Sequence, residues 1–125
     1  MKFVRLITAL AFAATATAFA AENHSHDPKP QHGGAVVEVK DIEYELVARP
    51  DLLQLHLRDH GKAVDVSKAT ARLTLLAGTE KQEVELKPAG GKLEAKGSFK
   101  VPANTKVVAL VSLDGKSSTA RFVLK

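Results

Sequence analysis

From residue 35 onward, apolar and polar residues alternate with period two in short runs separated by turn-forming residues. The runs are AVVEVK, IEYELVA, LLQLHLR, TARLTLL, EVELK, KLEAKGSFKV, TKVVALVSL and TARFVLK. Successive side chains of a strand point to opposite faces, so each run lays an apolar face on a core and turns a polar face outward. Lys40-Asp41, Arg49-Pro50-Asp51, residues 59–62, Ala77-Gly78-Thr79, residues 88–91, Pro102-Ala103-Asn104 and Asp114-Gly115 punctuate them. The pattern predicts an all-β fold, a small antiparallel β-sandwich of seven to eight strands over residues 35–125, with no helix. Asp114-Gly115 carries the strongest hairpin signal, because both residues tolerate the positive φ of a primed turn.

The alternation also predicts an inward set. Ile42, Tyr44, Leu46, Leu53, Leu55, Leu57, Leu73, Leu75, Val84, Leu86, Val108, Leu110, Phe122 and Leu124 face the core. The chain has neither Trp nor Cys, so the buried tryptophan and the disulfide of antibody domains are excluded and an immunoglobulin-like arrangement is architectural only.

Residues 1–20 differ from everything that follows. Lys2 and Arg5 precede an apolar stretch that closes on Ala18-Phe19-Ala20, with small residues where a signal peptidase requires them. We read a cleavable export signal, a flexible, disordered leader over residues 21–34 that lacks apolar residues to bury, and one domain over residues 35–125, with the mature protein in the periplasm. No later segment is long enough to span a bilayer as a helix, which predicts no membrane insertion after cleavage. Removal of Lys2 and Arg5 leaves 16 basic against 14 acidic residues, a net charge of about +2 that is too mild for nucleic acid or an anionic membrane.

The leader reads AENHSHDPKPQHGG and places His24, His26 and His32 in a short polar tract, a composition that reads as metal binding. A second cluster, HLRDH, holds His56 and His60. Its spacing suits one face of a helix, but the alternation around it forces a strand. With Arg49-Pro50-Asp51 as a hairpin tip, Glu45 falls opposite His56 and Glu43 opposite Arg58, on a face expected to meet solvent. Glu45 and His56 then form a half-site for a metal, and His60 sits in the next turn. Once Met1 leaves with the signal, no sulfur ligand remains. Imidazole and carboxylate suit exchangeable Cu(II), Zn(II), Ni(II) or Co(II), whereas a methionine-rich Cu(I) chaperone is excluded. Cleavage after Ala20 puts His24 in fourth place and so denies it the amine, amide and imidazole square plane of a third-place histidine.

His32-Gly33-Gly34, Tyr44-Glu45-Leu46 and Asp59-His60-Gly61-Lys62-Ala63-Val64 together resemble a known family. It is the small periplasmic domain near the N-terminus of membrane-fusion adaptors in heavy-metal efflux systems, which also occurs free-standing; Ala63 replaces the proline of its D-x-G-K-P-V turn. The resemblance implies a β-sandwich that meets metal ions behind a His-rich leader, with His24, His26, His32 and His60 as the matching positions. It implies components of an efflux system as partners. The hairpin, lipoyl-like and barrel modules of a full adaptor have no counterpart in this sequence, so the expected role is to hold, deliver or sense metal.

No G-x-S-x-G, H-E-x-x-H or P-loop pattern occurs, and no Cys is available as a nucleophile, so the protein is expected not to be an enzyme. The rival reading is an exported β-sandwich interaction module that binds a protein partner, its histidines incidental.

Overall fold

The computed structural model describes residues 29–125. The signal segment and His24 and His26 lie outside the described residues. The chain forms β1 (Ala35–Val39), β2 (Ile42–Arg49), β3 (Leu52–Asp59), β4 (Lys62–Ala63), β5 (Thr70–Ala77), β6 (Glu80–Pro88), β7 (Leu93–Lys96), β8 (Lys106–Leu113) and β9 (Lys116–Val123). Every pairing is antiparallel, in the order β1-β2-β3-β7-β6-β5-β8-β9, with β4 added beside β3. β6 joins the two halves: Glu80 to Leu86 pair with β5, then Lys87 and Pro88 pair with β7. The path curls until β1 runs alongside β9 without pairing to it, which leaves a nearly closed, barrel-like sandwich. No helix among the described residues is long and apolar enough to cross a membrane.

Three hairpins share one turn chemistry. Lys40-Asp41 (φ 53° and 70°), His60-Gly61 (53° and 83°) and Asp114-Gly115 (53° and 78°) each have positive φ at both central residues, the mark of a type I′ turn. This turn matches the right-handed twist of the strands it joins, so the predicted Asp114-Gly115 hairpin forms with Leu113 opposite Lys116. The run KLEAKGSFKV is a strand only as far as Lys96. Beyond it the backbone leaves the sheet to cap the β2–β3 turn, with Gly97 N–H donating to the Asp51 carbonyl (3.2 Å) and Phe99 N–H to that of Pro50 (2.7 Å).

Leu46, Leu53, Leu55, Leu73, Leu75, Leu86 and Leu93 are fully buried and form the centre of the core. The inward set holds except on β8. There Val107, Ala109 and Val111 face the core, while Leu110 is 49% exposed and Val108 half-buried. A run of five apolar residues has no alternation to fix its phase. Pairing with β5 fixes it instead, by setting Val107 opposite Leu75, Ala109 opposite Leu73 and Val111 opposite Ala71.

Candidate metal site

β2 and β3 meet in the expected register, with Glu45 opposite His56 and Glu43 opposite Arg58. The face they share is not open to solvent. Glu45 is fully buried and Arg58 is 5% exposed, because the last residues of the leader fold back over this face. Four donors explain why. Glu45 Oε1 accepts from Gln31 N (2.9 Å) and Arg58 Nη1 (3.0 Å), and Oε2 accepts from His32 N (2.7 Å) and Gly34 N (2.9 Å). Arg58 also donates to Glu43 Oε1 (3.1 Å) and to the Lys29 carbonyl (3.2 Å), so both sides of the ion pair grip the same segment. Residues 29–34 are therefore docked on the sheet, where a free tether was expected.

The two glycines of His32-Gly33-Gly34 permit this approach. Gly33 adopts φ +77°, a left-handed conformation that other residues rarely take. A Cβ on Gly34 would collide with the Leu46 carbonyl oxygen and press on Glu45 Cγ at 3.1 Å, so only glycine lets the leader lie flat on β2.

Burial alone would raise the Glu45 pKa. The backbone N–H groups of Gln31, Gly34 and His32, with the Arg58 guanidinium, outweigh that effect and hold it at about 2. The carboxylate is thus charged at neutral pH and its oxygens are committed. It does not stand open as a ligand shared with His56; it anchors the leader.

What the anchor positions is His32. Its ring lies parallel to that of His56, with centroids 3.7 Å apart and planes 7° from coplanar. His32 Nδ1 lies 3.2 Å from Glu45 Oε1, and His56 Nε2 lies 3.3 Å from Gln54 Oε1. Since both acceptors are oxygens, each contact places the ring proton on that nitrogen and leaves the lone pair on the other one: Nε2 of His32 and Nδ1 of His56. A carboxylate that fixes a histidine tautomer through its second nitrogen is the usual outer support of a metal-binding imidazole. Lone pairs in two parallel planes do not converge, so a shared ion requires one ring to swing.

Burial lowers the His56 pKa, His32, Lys92 and Arg58 add to the effect, and Glu45 opposes it. His56 is consequently neutral at pH 7. The rings open onto a cavity of about 620 Å³ lined by His32, His56, Arg58, Gly90, Gly91 and Lys92. His60 is elsewhere: its side chain is 79% exposed on the β3–β4 turn, with Nδ1 2.6 Å from Asp59 Oδ1, and it borders a different groove. Among the described residues no group of three or more His, Asp or Glu side chains surrounds a common point.

Arg58, Gln54 and Lys92 complete the surroundings of the pair. Arg58 and Gln54 are legible from the β2–β3 register. Lys92 reaches the site only because Leu93 pairs with Leu55 across sequence-distant strands, for which the local pattern holds no signal. Comparison with protein-family models, with curated proteins and with solved structures gives no match, so the functional reading rests on this geometry.

Proposed function

We propose that the protein is an exported, non-enzymatic holder of a divalent transition metal, serving a heavy-metal efflux or homeostasis system from the periplasm. One observation carries the reading: a buried carboxylate with no free valence orients His32 against His56, one imidazole from the leader and one from the sheet. Burial of an ionised group is costly, and here it fixes the position of a partly exposed histidine. The metal is cargo. With no sulfur in the mature chain it is Cu(II), Zn(II), Ni(II) or Co(II), bound by His32 Nε2 and His56 Nδ1 once one ring swings out of the stack, with His24 and His26 as donors further along the leader. His60 is secondary in this scheme, because it belongs to a separate exposed turn.

Metal content settles it. Mature protein dialysed against Cu(II) or Zn(II) is expected to retain a stoichiometric amount, and a His32→Ala, His56→Ala variant to lose most of it. Equal retention by the variant would refute the paired site; no retention by the wild type would refute the metal role. A second reading, an exported module that binds a protein partner, is favoured by a groove of about 480 Å³ between the unpaired edges of β1 and β9. Partner capture by metal-free protein, undiminished in the double variant, would support it instead.

A further inference from the structure

Val107 to Val111 of β8 read VVALV, an unbroken apolar run of the kind found in strands covered on both faces. The fold covers only one of them. Val107, Ala109 and Val111 enter the core, while Val108 and Leu110 point away from it, between β5 and β9.

The strand register builds the rest of that outer face. Leu76, Lys106 and Val123 form one row across β5, β8 and β9; Thr74, Val108 and Arg121 form the next, and Arg72, Leu110 and Thr119 the third. Leu76, Leu110 and Val123 are the exposed large apolar side chains among the described residues, and all three stand here. Scattered singly they would carry no meaning, but gathered around half-buried Val108 they make a patch.

The charges on these three strands have one sign. Arg72, Lys106 and Arg121 lie between the apolar residues, and none of them forms an ion pair among the described residues. Carboxylates stand only at the margin on β6, where Glu83 is 3.6 Å from Lys81 and Glu85 lies opposite Arg72. The other half of the sandwich is covered by the chain itself, through residues 29–34. Nothing further along the leader complements β8: residues 21–28 hold no large apolar side chain, and residues 1–20 bring Lys2 and Arg5 without a carboxylate. A second copy brings the same excess of cations. A lipid surface is met by Trp or Phe on an apolar face, and the outer side of β5, β8 and β9 has neither.

We infer that the outer face of β5, β8 and β9 docks a partner protein through an acidic segment. Apolar side chains of that segment cover Val108 and Leu110, and its carboxylates meet Arg72, Lys106 and Arg121. The apolar centre supplies the desolvated area and the cations set partner choice and register. Because the face lies on the half of the sandwich that does not carry His56, the inference is independent of the metal-holding reading.

The probe is a random dodecapeptide library displayed on phage, selected on the mature protein and counter-selected on an Arg72→Glu, Arg121→Glu variant. Enriched peptides are expected to set Asp or Glu beside Leu, Ile or Phe, and a synthetic copy to bind more weakly as salt rises. Leu110→Thr and Arg121→Gln are each expected to weaken that peptide about tenfold, through loss of one covered apolar side chain and of one charge-assisted contact, with thermal unfolding unchanged. Lys62→Gln, on β4 beside β3, is expected to have no effect.

Failure to enrich any peptide over the counter-selected variant overturns the inference, as do enriched peptides that are neutral or basic. Equal affinity for the wild type and Leu110→Thr overturns it too, by placing the peptide elsewhere. A wild type that sediments as a dimer while Leu110→Thr is monomeric assigns the face to a second copy. Uptake by equimolar phosphatidylglycerol and phosphatidylcholine vesicles of the wild type, but not of the Arg72→Glu, Arg121→Glu variant, assigns it to a membrane; either result overturns the acidic partner. Metal retention after dialysis is expected to be the same in all these variants, so each reading can fall alone.

Discussion

Replacing Glu45 with Gln tests whether a buried carboxylate holds the leader on the sheet. The variant keeps the shape and removes the charge. Its amide offers one acceptor oxygen and one donor nitrogen where the wild type has two acceptor oxygens facing Gln31, His32, Gly34 and Arg58, so at least one donor is left without a partner. Arg58, 5% exposed, keeps only Glu43 to balance it. An unsatisfied buried donor costs about 1–3 kcal/mol, and a buried charge stripped of its partner about 3–5. Titration gives a second route to the magnitude. Lowering the pKa from 4.5 to about 2 corresponds to about 3 kcal/mol favouring the charged, docked state.

The sign follows from the direction of the shift. Glu45 has a lower pKa folded than unfolded, so its stabilisation is fully present above about pH 4.5 and is lost as pH falls through about 2. Urea unfolding at pH 7 is expected to show Glu45→Gln about 3 kcal/mol less stable than the wild type, or about 15 °C lower in melting temperature for a domain of this size. The gap closes toward pH 2, where the wild-type carboxyl is protonated too. A gap under about 1 kcal/mol at pH 7 would refute the reasoning, as would a gap that stays constant down to pH 2.

Three further outcomes follow from the same geometry. His56, followed by NMR, is expected to titrate below 6.5 because burial disfavours its protonated form; a midpoint at or above 6.5 would contradict the burial argument. Gly34→Ala is expected to cost about 1–3 kcal/mol in thermal unfolding and to abolish the stacking shifts between the His32 and His56 rings, since the added methyl collides with β2; unaltered ring shifts would show that the leader is held otherwise. Leu110→Thr is expected to stay within about 0.5 kcal/mol of the wild type, whereas Leu75→Ala costs about 2–5, and a large loss at Leu110 would reverse the assignment of the β8 faces.

Period-two alternation carries most of the fold, because one buried face per strand is a constraint that each residue of a run expresses locally. It fails on β8 for the converse reason: Val107, Val108, Ala109, Leu110 and Val111 are all apolar, and only contact with β5 selects a face. The site divides along the same line. The pairing of Glu45 with His56 is fixed by the two-residue turn Pro50-Asp51, so it is legible. What covers that pair is not. Residues 29–34 carry no apolar periodicity and read as linker, yet a linker that offers backbone N–H groups from three of the four residues 31–34 docks where a buried carboxylate awaits them. A glutamate on a strand otherwise rich in apolar residues is ambiguous by itself. Two glycines after a histidine are the compensating signal, since one supplies a left-handed turn and the other a side-chain-free surface for close approach. Taken with Glu45, His32-Gly33-Gly34 specifies a backbone that can lie against β2, and the histidine before it is carried onto His56 as a consequence.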